Sequence, residues 1–298
     1  MGLHSDETIE KNNICAIIVT YNGKETISST IEYLKKNVNH IVIIDNNSTD
    51  GTKDFIETIK STTLEVINLN KNYGIAYALN IGVEYANLNE FNWILTMDQD
   101  SVLSEDMIDE MIKVYKKIPN KDKVACLSPR RLNGENSSYQ KKNCIEYYEK
   151  NAVITSGNLV KTSVINEMEG YEEKLFIDSV DFDFCLRLKE SRYKILICNN
   201  ATMTHFVGET KEVKLLNKNI NIHVHSSIRK YYMSRNYIYI MKNYFIKQPW
   251  FCLKMSLFSF ILIFQVIIYE KNVFNNLKII LKGIVDGMRG KFGEKIDL

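Results

Sequence analysis

Proline is scarce in this chain, with three residues in 298, and glycine is modest at thirteen. Flexible linkers therefore have little sequence to be built from. None of the six cysteines forms a Cys-x-x-Cys pair, and most sit in apolar runs. Buried free thiols in a reducing compartment are expected, rather than a disulfide framework or a zinc site. Neither Gly-x-Gly-x-x-Gly nor a P-loop pattern occurs, so the dinucleotide fingerprint and the phosphate-cradling glycine loop are both missing. The first residues, MGLHSDETIEKNN, hold no apolar core, and no secretory signal is expected from them. Asp6 stands where a myristoylation pattern starting at Gly2 would need Ser or Thr. No internal repeat and no long low-complexity segment is evident.

What is present fits a folded, enzyme-sized chain. Hydrophobic residues make up 45% and charged residues 25%, which excludes a mainly disordered, collagen-like or multi-span membrane protein. The formal net charge of +2 hides a split. Residues 1–210 hold 23 basic and 31 acidic side chains, whereas residues 211–298 hold 15 and 5. An acidic body with a basic tail suggests that the tail meets an anionic partner: phosphate, nucleic acid or a membrane surface.

The first hundred residues alternate strand and helix patterns. Ile14–Val19 is a short continuous apolar run that reads as a strand buried on both faces, and Ile41–Ile44, Leu64–Leu69 and Trp93–Met97 read as the next three strands. Helical spacing separates them at Ile27/Ile31/Leu34, Phe55/Ile56/Ile59 and Ile75/Leu79/Val83. That alternation implies crossovers and a mainly parallel sheet, whose C-terminal strand ends bind ligands. Polar clusters follow each strand: Thr20-Tyr21-Asn22, Asp45-Asn46-Asn47, Asn70–Gly74 and Asp98-Gln99-Asp100. Further on, the spacing predicts a helix over 107–115 and strands at 124–127 and 193–198, with a turn at Asn133-Gly134. Residues 250–269 form one apolar run whose only charge is Lys254, followed by a basic amphipathic segment. The preferred reading is an in-plane or packed helix with a membrane-facing surface, over a bilayer span or a core helix.

Several residue groups can carry chemistry. Asp98 and Asp100, two apart in a loop after a strand, can be aimed at one hard cation that keeps sites open for phosphate. Asp45 can accept a hydrogen bond from a nucleotide base or ribose, or else cap the next helix, as Asp50 can. In Asp178-Ser-Val-Asp181-Phe-Asp183, Asp183 and Arg187 form an i, i+4 pair if helical, leaving Asp181 free to act as a general base. His205 is a candidate ligand, though a lone His is more often a satisfied core residue. Arg229 and Arg235 could grip a diphosphate, or form a solvated basic face.

The run VTYNG (19–23), IDNNSTDG (44–51), NYGIAYALNIG (72–82), MDQDS (97–101), TSGNLV (155–160), FIDSVDFDFCLRL (176–188) and THFVG (204–208) resembles glycosyltransferase family 2, and within it the bacterial rhamnosyltransferase branch. The match covers roughly residues 14–240. The resemblance implies an α/β, GT-A nucleotide-diphospho-sugar transferase fold, with a mainly parallel sheet flanked by helices and a C-terminal helical, basic, membrane-associated tail. It implies a catalytic domain over 1–220, with a nucleotide half near 12–101 and an acceptor half near 102–220, and an extension over 221–298. By the same resemblance Thr20, Tyr21, Asn22, Asp45, Asn72, Gly74, Asn80 and Asp98 bind the nucleotide. Asp100, Asp98 and His205 hold Mg²⁺ or Mn²⁺, Asp181 is the base, and Arg229 and Arg235 lie by the diphosphate. Ser156, Gly157, Asp178 and Asp183 fall in the acceptor region.

The expected reaction is metal-dependent, inverting transfer of a sugar from dTDP-L-rhamnose, or from a UDP-sugar, onto a saccharide or a polyprenyl-diphosphate-linked acceptor. The setting would be cell-surface polysaccharide synthesis at the cytoplasmic face of the plasma membrane, with peripheral contact through the tail. No nucleic-acid partner is expected, and a homodimer is left open. Multiple spans and the Gln-x-x-Arg-Trp signature are missing, which argues against a processive synthase. The competing readings are a nucleotidyltransferase, which would need a glycine-rich loop where Val19–Lys24 has none, and a catalytically inactive sugar- or membrane-binding scaffold.

Overall fold

A computed structural model describes residues 8–132, 145–205, 210–215, 218–223 and 225–295. The Asn133-Gly134 turn and the side chain of His205 lie outside the described set. The chain divides into two compact units. One lies within Met1–Tyr171 and Phe184–Phe206, the other within Glu172–Asp183 and Val207–Leu298. Residues 172–183 thus group with the C-terminal helices.

The first unit is built on β1 (Ile14–Thr20), β2 (His40–Asp45), β3 (Leu64–Asn68) and β4 (Trp93–Asp98). These are parallel, in the order β3-β2-β1-β4, and the continuous apolar, β-branched run of β1 suits a strand covered on both faces. The crossovers are α1 (Ile27–Asn37), α2 (Thr52–Thr58) and α3 (Ile75–Leu88). The register puts Thr20 opposite Asp45, Asp45 opposite Asn68, and Val19 opposite Asp98. The polar clusters therefore share one sheet edge. Chain order runs outward from β1 to β3 and then returns to β4, so β1 and β4 flank the topological switch point where such sheets open a crevice.

Beyond β4 the sheet becomes mixed. β5 (Ser101–Leu103), α4 (Met107–Lys117), β6 (Val124–Leu132), β7 (Tyr147–Glu149), β8 (Asn158–Lys161), α5 (Thr162–Glu167), α6 (Val180–Glu190) and β9 (Lys194–His205) follow in sequence. β8 is antiparallel to both β4 and β6, β6 and β9 are parallel, and β5 and β7 pair antiparallel with β9. The parallel character expected from the first hundred residues holds for β1–β4, where helical crossovers force it. The core contains Ile14, Ile18, Ile43, Leu95, Trp93, Met111 and Leu127. Among the described residues five cysteines are buried, and none of them forms a disulfide.

The second unit holds a two-stranded antiparallel hairpin, β10 (Thr210–Leu215) and β11 (Lys218–His223), followed by α7 (Ser227–Tyr244), α8 (Pro249–Tyr269) and α9 (Val273–Met288). Ser226 caps α7 by accepting from the Arg229 backbone N–H. α7 buries an unusual polar set, Lys230, Arg235 and Asn236, and Tyr231 donates to Asp286 of α9 at 2.9 Å. α8 is long and apolar enough to cross a bilayer, and only Cys252 and Val266 of it are buried.

Candidate functional site

The candidate residues fall into two groups, one in each unit, and each is described by itself. In the first unit they gather at the C-terminal edge of β1, β2 and β4. Asp45 ends β2 and is fully buried. Its Oδ2 accepts from the Ser48 backbone N–H at 2.9 Å, while its Oδ1 is buried with no partner. A buried acceptor left unmatched is costly, so this atom has the chemistry of a ligand contact. Asn22 sits beside it: its N–H donates to Ser48 Oγ at 2.9 Å and its Oδ1 accepts from Thr49 N at 2.8 Å. Tyr21 is 47% exposed, with its ring free of the core. Asn72 Oδ1 accepts from Gly74 N at 2.9 Å, shaping the turn that starts α3, and Asn46 Oδ1 accepts from Tyr73 N at 2.9 Å.

Asp98 and Asp100 are both half-buried at the end of β4. Two carboxylates of this kind suit Mg²⁺ or Mn²⁺ sharing its remaining sites with diphosphate oxygens and water. No cluster of three His, Cys, Asp or Glu ligands occurs among the described residues. β5 pairs Ser101 with His205, which brings the His205 backbone next to the Asp-Gln-Asp loop.

The loop is fixed from beneath. Ser156 Oγ accepts from Asp98 N at 3.0 Å and meets Ser101 Oγ at 2.7 Å. Gly157 has φ of +81°, and a Cβ there would lie 2.8 Å from Pro129 Cγ, so both backbone and packing require glycine. Ser156 and Gly157 were expected in the acceptor region. They are buried, and they support the Asp98 loop instead.

Two nucleotide assignments change in the same way. Thr20 is fully buried and its hydroxyl donates to Gln99 Oε1 at 2.7 Å, so its side chain braces the loop. Asn80 accepts from Tyr171 N at 2.8 Å and donates to Tyr171 O at 2.9 Å, clamping the chain that leaves α5.

Sequence reasoning missed Gln99 and Arg131. Gln99 Oε1 accepts from both Thr20 Oγ1 and Tyr21 N, the latter at 2.9 Å, and a Cβ on Gly23 would lie 2.3 Å from it. Its signal was a lone amide between two carboxylates. Arg131 is the last residue but one of β6, and its Nε is buried without a partner. Burial lowers its pKa, while the Asp98 carboxylate supports its charge. Two adjacent arginines closing a strand were the sign of it.

In the second unit Asp181 lies in the first turn of α6. Burial pushes its carboxyl up to about 6; the Phe182 N–H, donating at 2.9 Å, and Arg229 oppose the rise, and Asp178 adds to it. Asp178 Oδ1 pairs with Arg229 at 3.1 Å, and burial also raises the Asp178 carboxyl. Arg229 is half-exposed and keeps access to an anion. Arg235 does not. It is 1% exposed, and its guanidinium donates to the carbonyls of Gly293, Lys174 and Leu175, so the diphosphate role fails on burial. Asp183 is fully buried and accepts from Tyr244 OH at 2.7 Å, which removes it from any acceptor surface.

The family model described as glycosyl transferase family 2 matches residues 15–182. The chain is 30% identical to the dTDP-rhamnosyl transferase RfbF of Shigella flexneri over 95% of this chain and 97% of that protein. It is 30% identical to the poly-beta-1,6-N-acetyl-D-glucosamine synthase of Staphylococcus aureus (strain COL), over 46% of this chain and 33% of that one. Among solved structures, GalNAc-T7 with UDP, GalNAc and Mn²⁺ superposes with a TM-score of 0.57 and 16% identity, over 78% of this chain and 48% of its own. S. aureus TarS 1–349 with UDP-GlcNAc gives 0.55 and 14%, over 93% and 83%. These two likenesses are of fold, that of GT-A transferases.

Proposed function

The chain belongs to glycosyl transferase family 2, and from that premise we propose that it transfers L-rhamnose from dTDP-L-rhamnose, with inversion, onto a saccharide or a polyprenyl-diphosphate-linked saccharide during cell-surface polysaccharide synthesis. The donor rests on the near full-length identity to a dTDP-rhamnosyl transferase. The observation that carries the nucleotide reading is the buried, unpartnered Oδ1 of Asp45 at the switch-point edge. A pyrimidine imino N–H would satisfy it, and the exposed Tyr21 ring offers a face for the base.

The residues divide the work. Asp98 and Asp100 would hold the divalent cation, with His205 as a further candidate. When bound, that cation supplies neutralisation of the charge developing on the leaving diphosphate. In the first unit Arg131, whose charge registers beside Asp98, is a cation suited to the diphosphate; in the second, Arg229 stays half-exposed whereas Arg235 is buried. Asp181 takes the proton of the acceptor hydroxyl as that oxygen attacks the anomeric carbon from the face opposite the diphosphate. The C–O bond to the diphosphate breaks, and one displacement inverts the anomeric centre. With its carboxyl at about 6, Asp181 is ionised at neutral pH and still basic enough to accept a proton.

The acceptor reading extends to a peripheral site at the cytoplasmic membrane face. On α9, exposed Phe274, Leu281 and Met288 recur every seven residues; exposed Lys278 lies beside that stripe, and exposed Lys271 and Arg289 flank the two ends of the helix. Glu270 is held by Lys230, and Asp286 is turned inward to Tyr231. An apolar stripe edged by cations and no outward carboxylate on the helix suits an anionic lipid surface.

The test is donor turnover. The purified chain is incubated with dTDP-L-rhamnose and with UDP-sugars, with Mg²⁺ or Mn²⁺ and then with EDTA, and released nucleoside diphosphate is quantified. Metal-dependent release from dTDP-L-rhamnose supports the reading. Release from a UDP-sugar instead keeps the mechanism and discards rhamnose. Absence of both turnover and nucleotide binding would return the inactive scaffold.

A further inference from the structure

The segment that leads into α6 is held in a costly shape. Phe176, Asp178 and Ser179 have φ of 63°, 64° and 65°, all left-handed, and none is glycine. Such a run persists only where its surroundings over-determine it. The restraint comes from α7. Asn236, fully buried, directs its Nδ2 at the carbonyls of Leu175, Ile177 and Asp178 at 2.9, 2.8 and 2.8 Å. Arg235 donates to the Leu175 and Lys174 carbonyls at 2.9 and 3.3 Å, and its Nε donates to Asn236 Oδ1 at 3.0 Å. The two side chains are therefore locked to each other as well as to the turn. Arg229, about two turns earlier on α7, pairs with Asp178, whose Oδ2 is buried with no partner. Tyr244, at the far end of the same helix, donates to Asp183.

A buried guanidinium and a buried amide spent on main-chain carbonyls are expensive anchors, and what they anchor ends three residues before Asp181. We propose that Arg235 and Asn236 are positioning residues of the transfer reaction: they hold the 174–179 turn so that Asp181 starts α6 in one fixed orientation. The Asp178–Arg229 pair sets the charge that Asp181 experiences. This rests on the reading of Asp181 as the base, and it gives α7 a role other than contact with the diphosphate. The charged groups facing Asp181 are Asp178, which favours its protonated form, and Arg229, which favours the carboxylate.

The experiment uses the full chain with dTDP-L-rhamnose and Mg²⁺, water serving as the acceptor. dTDP release is followed from pH 5 to 8.5, dTDP affinity by calorimetry, and folding by thermal denaturation. Asn236→Ser is expected to lower the rate tenfold or more while dTDP affinity stays within twofold. Because Asn236→Ser can fail to fold, Arg229→Gln serves as the second variant on a half-exposed side chain. It is expected to move the acidic limb of the rate profile to higher pH, and Arg229→Lys to restore it. A purely structural role would lower the melting temperature and leave that limb in place. The proposal is overturned if Arg229→Gln leaves the limb unmoved, or if a folded Asn236→Ser turns over like the wild type. Asp181→Asn is run alongside. If it keeps full turnover, the base assignment itself has failed; if it is inactive while the other variants behave as wild type, only the positioning role is lost.

Discussion

Replacing Asp181 by Asn should cost the reaction and benefit the fold. In the folded chain the carboxyl sits at about 6, against an ordinary value of 3.8, because burial disfavours its ionised form. The folded state therefore binds this proton more tightly than the unfolded state does. Between these two values stability falls as pH rises, and above pH 6 the whole penalty is present. Two pH units at about 1.4 kcal/mol each give a penalty of roughly 3 kcal/mol at pH 7.5. Asn keeps the oxygen that accepts the Phe182 N–H and carries no charge, so the penalty disappears. At roughly 2–4 °C per kcal/mol for a chain approaching this size, the variant should melt about 5 °C or more above the wild type at pH 7.5. The gap should narrow at pH 5, where the wild-type carboxyl is mostly protonated. Thermal denaturation at the two pH values and dTDP release at pH 7.5 make the assay. A variant that is inactive yet more stable at pH 7.5 than at pH 5, relative to wild type, supports a strained base. Equal or lower stability at pH 7.5 would refute the burial argument, and retained turnover would refute the assignment.

Asp45→Asn should weaken dTDP binding tenfold or more by calorimetry, about 1–2 kcal/mol, because an amide N–H would oppose the base N–H where Oδ1 now accepts. Gly157→Ala should destabilise by about 2–4 kcal/mol, from left-handed backbone and overpacking against Pro129, read as a lower melting temperature. The double variant Lys278→Glu, Arg289→Glu should lose flotation with vesicles containing anionic lipid while dTDP release from solution continues; unchanged flotation would remove α9 as the membrane surface.

The strand edges were readable because period and composition carry them. Ile14–Val19 is apolar throughout and Trp93–Met97 is apolar but for Thr96, and a polar residue marks where each ends. The two carboxylates around Gln99 were readable as a pair for the same reason. What the sequence hid was which polar residues face outward. Thr20, Asn80 and Ser156 lie among motif residues, but each is turned into the protein, where it completes a hydrogen bond that another loop needs. Arg235 carries a charge that argues for exposure, yet main-chain carbonyls sixty residues away in sequence satisfy it. Those partners are long-range, and no local pattern announces them. The mixed half of the sheet was obscure on the same grounds: β8 is four residues long and its direction follows from tertiary pairing rather than from its own composition.

The close approach of Gln99 to Gly23 has an evolutionary consequence. The Gln99 amide fills the space that a side chain at 23 would need, so a Cβ there must push that amide off Thr20 and Tyr21, which couples the two sites. A homologue with Ala or Ser at the position of Gly23 should carry a shorter residue between its two aspartates. Among natural sequences, the middle letter of Asp-x-Asp should therefore track a residue seventy-six positions upstream in this numbering, and recombination that exchanges one without the other should yield an ill-formed β1 loop.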